Sequence, residues 1–207
     1  QEADTITRVI NHSIILNNLL PCSNYQFRVV SNDNFGGNGL SAKSMFETLG
    51  CFGGANILDE ATQSIPNSSG GTLSLSSTLT LTVPSGFNST YENAYFQALM
   101  LSEDEIANTF GKPSGKTLLP NHYYQLNSLI DPHQELSFFA KPLTISITYS
   151  DDEVSNFNKS TLKIYRNNGS DWNELSSCSV DENSKKVTCS TSQFSVFSVG
   201  GDYNPPS

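Results

Sequence analysis

The stretch that decides the fold is Leu143-Thr-Ile-Ser-Ile-Thr-Tyr149, in which apolar and polar residues alternate at every position. A period of two places Leu143, Ile145 and Ile147 on one face of a β-strand, because successive side chains of a strand point to opposite faces. The same period recurs over Leu79-Thr-Leu-Thr-Val83. Both stretches therefore predict strands with one buried and one more polar face.

Similar strand signals stand towards both ends of the chain. Tyr25, Phe27 and Val29 alternate with polar or basic residues. Further on, Asn168-Gly169 separates an apolar run from Trp172, and an Asn-Gly pair is a strong signal of a β-hairpin because both of its residues tolerate positive φ. The pattern predicts an all-β protein of short strands, which favours a sandwich.

One segment alone has the signals of a helix. Ser102 and Glu105 fit a capping box, and Gly111 and Pro113 stop the helix soon afterwards. We therefore expect the all-β fold to contain at most one short helix, of two or three turns.

The composition removes several classes of function. The chain has 207 residues, with 11 Lys and Arg against 20 Asp and Glu, a net charge of −9. Nucleic-acid binding needs a basic surface to neutralise phosphates, so we expect no nucleic-acid partner. Because no apolar run approaches the ~18 residues that span a bilayer, we expect no membrane insertion within the chain.

Four cysteines, Cys22, Cys51, Cys178 and Cys189, form no C-x-x-C pair, which argues against common zinc and redox sites. Cys178 and Cys189 flank a polar turn, where a disulfide can join paired strand ends. Of the three pairings that four cysteines allow, we favour Cys178–Cys189 with Cys22–Cys51, because each bridge then stays inside one structural unit. Four buried free thiols are the alternative. Two disulfides would indicate an oxidising compartment, hence an extracellular or cell-surface location.

Five N-x-S/T sequons permit N-glycosylation where the host performs it. They lie at Asn11, Asn67, Asn88, Asn158 and Asn168. Their number is what chance gives in a chain so rich in asparagine, serine and threonine, so the sequons by themselves do not indicate a glycoprotein.

Glycine-rich stretches divide the chain. Residues 50–71 hold several glycine clusters and no apolar alternation, which is typical of a connection between units. We therefore expect a first unit over residues 1–50, a linker over 51–71, a second unit over 72–200 and a tail over 201–207.

The first unit carries a motif of known type. Leu19-Leu-Pro-Cys-Ser-Asn-Tyr-Gln-Phe-Arg-Val29 resembles the fibronectin type III signature L-x-P-x-x-x-Y-x-F-x-V. In that family the tyrosine closes a corner at the start of strand F. The resemblance implies an F–G loop over residues 32–39 and strand G over 41–48, which would bring Cys22 near Cys51.

This resemblance covers the second half of such a domain only. The strands expected before residue 10 are missing, and half a sandwich leaves an open core and unpaired strand edges. We expect either that the chain is cut from a longer protein or that strands from another chain complete an incomplete fibronectin type III-like sandwich.

Four further motifs follow in order along the second unit. They are Leu79–Gly86 (ending V-P-x-G), Phe139–Tyr149 (F-x-K-P followed by a strand), a tryptophan hairpin over Ser160–Leu175, and Gln193-Phe-Ser-Val-Phe197. Together they resemble the ZU-type β-sandwich domain of zonula occludens proteins, ankyrins and netrin receptors, and more closely the form carried by bacterial surface proteins. The resemblance implies a second β-sandwich.

In several relatives of that family the last motif, H-F-S-x-F, cleaves its own chain. The serine hydroxyl attacks the preceding carbonyl while the histidine assists proton transfer. Here Gln193 takes the place of the histidine, and the three histidines of the chain lie far away in sequence. We therefore expect no cleavage between Phe194 and Ser195, and we expect this segment to supply alternating core residues of a last strand.

Tyr123 and Tyr124 are the candidate ligand-binding residues, because exposed aromatic rings can stack on sugars. Phe138 and Phe139 form a second such pair. The alternative is that each pair is divided between core and surface.

Asp151, Asp152 and Glu153 form the densest acidic cluster. Calcium takes carboxylate oxygens of this kind, but the spacing of a calcium-binding helical loop is missing. We favour a solvated turn and expect no metal site.

The sequence contains none of the common hydrolase, metalloprotease or nucleotide-binding motifs, and we expect neither catalysis nor a cofactor. We predict a non-enzymatic structural, adhesive or assembly module of a larger secreted or cell-surface protein, which binds protein partners or itself through strand edges. The alternative is a carbohydrate-binding accessory module of an exported polysaccharide-degrading enzyme, with a glycan as its partner.

Overall fold

The computed structural model describes residues 16, 19, 24–32, 38–48, 56–103, 106, 110–130, 134–136 and 138–205. The chain divides into two compact units, Gln1–Gly50 and Cys51–Ser207. Strands pair antiparallel throughout the described part, which confirms the all-β prediction.

The first unit contains a ribbon of paired strands. Its strands are β1 (Asn24–Phe27), β2 (Val30–Asn32), β3 (Asn38–Leu40) and β4 (Ser44–Glu47). β1 pairs with β4 and β2 pairs with β3. Between the two pairings the backbone N–H of Ser41 donates to the carbonyl oxygen of Val29 at 2.9 Å. The described strands β1 and β2 therefore run out and β3 and β4 run back beside them, as in a hairpin.

The second unit contains twelve strands over its described residues. They are β5 (Ile57–Pro66), β6 (Gly71–Leu75), β7 (Leu79–Val83), β8 (Asn93–Leu101), β9 (Thr117–Ile130), β10 (Gln134–Glu135), β11 (Phe138–Thr148), β12 (Lys163–Asn167), β13 (Trp172–Glu174), β14 (Ser179–Asp181), β15 (Lys186–Gln193) and β16 (Val196–Gly201). A 3-10 helix spans Lys159–Thr161.

These strands form the two layers of a sandwich. A seven-stranded sheet has the order β13-β12-β16-β9-β8-β5, with β10 also paired to β9, and a five-stranded sheet has the order β14-β15-β11-β7-β6. Leu143, Ile145 and Ile147 of β11 are fully buried, as their alternation predicts. They join one apolar cluster with Phe96 and Leu126 of the other sheet, and each such buried side chain contributes about 1.5–3 kcal/mol.

The seven-stranded sheet is covered on its second face as well. The rings of Tyr123 and Trp172 meet edge to face, with centroids 6.2 Å apart, and Trp172 Nε1 donates to the Gly111 carbonyl oxygen at 3.1 Å. The described residues of the predicted short helix are helical: Glu103, Ile106 and Phe110. The segment that ends at Gly111 therefore holds Trp172 in place.

The predicted linker over residues 51–71 is wrong from Ile57 onward. β5 occupies ten residues of it and pairs with β8, and Ile65 is fully buried. β5 lies at the edge of its sheet, so most of its side chains face solvent and its composition is polar. Apolar alternation is therefore too weak there to indicate a strand.

The predicted tail over residues 201–207 is wrong for its first half. Lys116 Nζ pairs with Asp202 Oδ1 at 2.6 Å, and the Tyr203 ring packs on Phe157 with centroids 5.3 Å apart. The N–H of Asn204 donates to the backbone of the same loop. Residues 201–204 are thus part of the second unit.

Candidate functional site

Tyr123 and Tyr124 lie in the middle of β9 and are buried, with exposed fractions of 1% and 0%. Tyr124 belongs to the core between the sheets, whereas Tyr123 packs on Trp172 at the opposite face. Burial raises the pKa of Tyr123 to about 12. The prediction that these two rings stack on sugars is therefore wrong, because both faces of this sheet are covered.

The second aromatic pair is divided between surface and core. Phe138 is 65% exposed and Phe139 is buried. This division is the alternative that the sequence left open, and it leaves a single exposed ring at the start of β11.

Asp151, Asp152 and Glu153 do not converge on one point. Asp151 Oδ1 accepts hydrogen bonds from Lys159 Nζ at 2.7 Å and Lys185 Nζ at 2.9 Å, and these two ammonium groups lower the pKa of Asp151. Glu153 has a different set of partners. Within the described ranges, no three His, Cys, Asp or Glu side chains are grouped to hold a metal ion. The cluster acts as an ion-paired turn.

A series of polar contacts links the buried Tyr124 and His122 to the half-buried Glu153. Tyr124 Oη lies 3.2 Å from His122 Nδ1, and His122 Nε2 lies 2.9 Å from Glu153 Oε1. Glu153 Oε2 accepts hydrogen bonds from the backbone N–H of Ser150 at 2.6 Å and from its hydroxyl at 2.8 Å. Both ring nitrogens of this buried histidine are engaged, so it ties the turn after β11 to β9 and does not present itself to a substrate.

Glu153 remains ionised because of these contacts. Burial disfavours its charge and would raise its pKa, but hydrogen bonds from Ser150 and His122 outweigh burial, and the pKa lies below the ordinary value. Burial also raises the pKa of the Tyr124 phenol. These hydrogen bonds could not be predicted from the sequence, because His122 and Glu153 lie 31 residues apart and belong to no common motif.

The segment Gln193-Phe194-Ser195 forms the crossing between the two sheets. It joins β15 of the five-stranded sheet to β16 of the seven-stranded sheet. Gln193 Oε1 accepts a hydrogen bond from the Arg166 guanidinium, and the Ser195 hydroxyl donates to the carbonyl oxygen of Asn167. The Ser195 hydroxyl is therefore hydrogen-bonded to a backbone carbonyl oxygen, and the Gln193 side chain is hydrogen-bonded to an arginine.

The last strand starts at Val196, after Phe194 and Ser195 of the predicted segment. Phe197 and Val199 of β16 are fully buried, as expected. Phe194 lies in the crossing and packs on Phe139 with ring centroids 4.7 Å apart. The prediction of a last strand is thus confirmed for β16, but its buried residues are consecutive and do not alternate, and Phe194 and Ser195 lie before the strand.

Cys178 and Cys189 form a disulfide with their Cα atoms 4.2 Å apart, which confirms one predicted bridge. The bond lies at the β14–β15 pairing, beside the Ser179–Thr188 register. The predicted Cys22–Cys51 bridge lies outside the described residues.

The ribbon of the first unit exposes large apolar side chains, which we call the ribbon surface. Its members are Phe27 (44% exposed), Val29 (58%), Val30 (54%), Leu40 (59%) and Met45 (68%). Val30 and Leu40 are directly paired across β2 and β3, so they share one face. Exposed apolar residues that are neighbours in space form a candidate binding surface.

Aromatic rings gather on the β1–β4 part of the ribbon. The Tyr25 ring stacks on Phe46 with centroids 5.7 Å apart, and Phe27 meets Phe46 edge-on at 5.9 Å. Met45 is paired with Gln26, so it belongs to the opposite face. The ribbon therefore presents apolar groups on both faces, and within the described residues β1 pairs with β4 alone.

An open depression lies at the end of β5 in the second unit. Amide, hydroxyl and carboxylate groups line it together with one aromatic ring, from Asn67, Ser89, Tyr91, Glu92 and Asn93. These are groups that bind a polar ligand such as a sugar, although the depression is shallow.

Comparison with known proteins leaves the family open. No protein-family model matches the chain, and no curated protein matches it either. The resemblances to fibronectin type III and ZU-type domains therefore stay predictions. Across the residues that the structure describes, no helix is long and apolar enough to cross a membrane.

Proposed function

We propose that the chain is a non-enzymatic structural and adhesive module of a larger secreted or cell-surface protein, and that strands of another chain complete its ribbon. The ribbon surface is the observation that supports this proposal. Two paired strands with exposed apolar groups on both faces are marginally stable alone, and the edge of a sheet can accept a further strand.

An added strand would stabilise the ribbon by burying its exposed apolar side chains. A fully covered Val, Leu or Phe side chain contributes about 1.5–3 kcal/mol relative to an exposed one. Val30 and Leu40, each more than half exposed, gain most of this amount only when something covers them. An added strand supplies both the apolar cover and backbone hydrogen bonds.

The secreted or cell-surface location rests on the Cys178–Cys189 disulfide, because such bonds persist in oxidising compartments. The resemblances to a fibronectin type III half-domain and to a ZU-type sandwich support the same setting, since such modules occur in surface proteins. Fold resemblance alone does not determine function, so an experiment must decide.

The decisive experiment is the association state of the full chain, measured by light scattering over a range of concentrations. We expect self-association that Leu40→Lys weakens at least tenfold, since a lysine ammonium cannot be buried under an added strand. Leu58→Lys is the matched control, because Leu58 is 55% exposed on the second unit. A stable monomer with a well-dispersed NMR spectrum for the ribbon would contradict strand complementation.

The expectation that the chain does not cleave itself is tested at the bond between Phe194 and Ser195. Because Gln193 supplies no base, we expect the purified chain to run as one intact band near 22.5 kDa under denaturing conditions. Two fragments that meet at this bond would show self-cleavage instead.

The depression beside Tyr91 supports a second candidate, a carbohydrate-binding accessory module of an exported polysaccharide-degrading enzyme. Its polar lining and single ring are the features that favour a glycan. Binding to a glycan array that disappears with Tyr91→Ala and persists with Tyr95→Ala, an exposed tyrosine on β8, would favour this candidate.

A further inference from the structure

The sequons of the second unit differ in what surrounds the nitrogen that a glycan would join. N-glycosylation forms a bond to Nδ2 of the asparagine in N-x-S/T, so this atom must be accessible in the finished protein. The structure describes the sequons at Asn67, Asn88, Asn158 and Asn168, and Asn11 lies outside the described residues.

Asn168 stands at the tip of the β12–β13 hairpin and is exposed. Its Oδ1 atom accepts hydrogen bonds from the Ser170 N–H at 3.0 Å, the Ser170 hydroxyl at 3.1 Å and the Asp171 N–H at 2.8 Å. This Asx turn engages the side-chain oxygen and brings the sequon hydroxyl to the acceptor amide. Nδ2 makes no hydrogen bond to any described residue.

Asn158 repeats this arrangement at the start of the 3-10 helix. It is exposed, and its Oδ1 accepts hydrogen bonds from the Ser160 N–H at 3.3 Å and the Ser160 hydroxyl at 2.8 Å. Again the oxygen is engaged by the serine of its own sequon, and the nitrogen has no hydrogen-bond partner in the described part of the chain.

Asn67 and Asn88 use their side chains to hold each other and a turn. Asn67 Nδ2 donates to the Asn88 carbonyl oxygen at 3.0 Å, and Asn67 Oδ1 accepts from the Asn88 N–H at 3.1 Å. Asn88 is 8% exposed with Nδ2 fully buried, and its Oδ1 caps the N–H groups of Thr90 and Tyr91. A glycan on either nitrogen would have to displace this packing.

We propose that Asn158 and Asn168 are N-glycan acceptors and that the folded chain carries no glycan at Asn67 or Asn88. The proposal rests on the secreted location in the proposed function. The co-reactant is a lipid-linked oligosaccharide diphosphate. Nδ2 attacks the anomeric carbon, the N–C bond forms as the C–O bond to the diphosphate breaks, the amide loses one proton, and the lipid diphosphate leaves.

The position of Asn168 gives a glycan there a structural effect. Asn168 lies in the turn of the β12–β13 hairpin, and β13 is an edge strand of the seven-stranded sheet. A bulky polar group beside an edge obstructs the approach of another strand. Glycosylation would thus protect this edge and leave the ribbon of the first unit available for assembly.

The test is secretion of the full chain from a eukaryotic host behind a heterologous signal sequence, followed by intact mass measurement and site mapping after enzymatic glycan release. We expect Ser170→Ala and Ser160→Ala each to lose one glycan, and Ser170→Thr to keep it. Thr90→Ala is the matched control: it removes the Asn88 sequon and should leave the mass of the secreted chain unchanged apart from the substitution.

Two results would overturn the proposal: a Ser170→Ala chain that keeps all its glycans, or a folded secreted chain with a glycan mapped to Asn67 or Asn88. Because the added signal forces entry into the secretory route, these results concern the acceptor sites alone. The self-association experiment tests the proposed function separately.

Discussion

At the scale of single residues, Glu153 is the member of the acidic cluster that contacts a buried side chain, His122. Its oxygens bind a buried histidine side chain and the backbone of Ser150, so a loop and a central strand share one carboxylate. Asp152, one position earlier, is exposed. Two adjacent carboxylates thus have different structural roles.

We predict that Glu153→Gln lowers the free energy of unfolding by about 1 kcal/mol at neutral pH, a value reduced because the group is partly exposed. The folded-state pKa of Glu153 lies below 4.5, so its contribution is present above pH 4.5 and is lost as the pH falls through the lowered pKa. Urea unfolding between pH 3 and pH 7 measures both effects.

Asp152→Asn is the matched control for this substitution. It should leave the stability and its pH dependence unchanged, since Asp152 is exposed. An acid profile of Glu153→Gln that is the same as that of the unmodified chain would show that the contact with His122 and Ser150 contributes nothing.

At the scale of the element, the turn from β5 to β6 depends on one glycine. Gly70 has φ +68°, and a Cβ atom there would stand 2.3 Å from the Val83 carbonyl oxygen. The Gly70 N–H also donates to the Pro66 carbonyl oxygen at 2.8 Å. A side chain at this position would therefore meet rigid backbone.

We predict that Gly70→Ala destabilises the second unit by about 3 kcal/mol, the sum of the positive-φ strain and the steric clash. Gly115→Ala is the control, because Gly115 has φ +66° with open space around its Cβ position and should cost only about 1 kcal/mol. Equal losses in denaturant unfolding would show that the contact with Val83 does not matter.

The strands that could be predicted from the sequence are those with one buried and one more exposed face. β7 and β11 are central strands, so burial of one face imposes a clear apolar period on Leu79–Val83 and Leu143–Ile147. β5 is an edge strand and lacks that period. Tyr123 and Tyr124 lie on a strand that is covered on both faces, so consecutive side chains are buried. Such a strand has no alternating apolar pattern from which burial could be predicted.

The candidate sites were less predictable than the strands. The Cys178–Cys189 bridge follows from two cysteines around a local turn, and it is present. The link from His122 to Glu153 depends on how distant segments pack, and the sequence holds no trace of such a contact.

At the scale of the whole molecule, the two units differ in how much apolar surface they bury. The second unit has a continuous core between its sheets, whereas Val30, Leu40 and Met45 of the first unit remain mostly exposed. Segments with few buried contacts have a low free energy of local unfolding. The first unit should therefore open more readily than the second.

We therefore predict that backbone amides of β11 exchange with solvent at least ~100-fold more slowly than those of β1 and β4 in a dilute solution of the chain. Hydrogen exchange followed by NMR or mass spectrometry measures this ratio. Protection of the ribbon should rise with protein concentration if another copy covers it. A ribbon as protected as β11 at high dilution would contradict this view of the first unit.

The Cys178–Cys189 bond has a last consequence for how copies of this chain can combine. The bond closes a covalent ring between residues 11 positions apart, and β14, the edge strand within that ring, cannot be withdrawn from β15 and lent to a second molecule. Exchange of strands between copies must then start elsewhere. Under reducing conditions the ring opens, and this edge becomes free to swap.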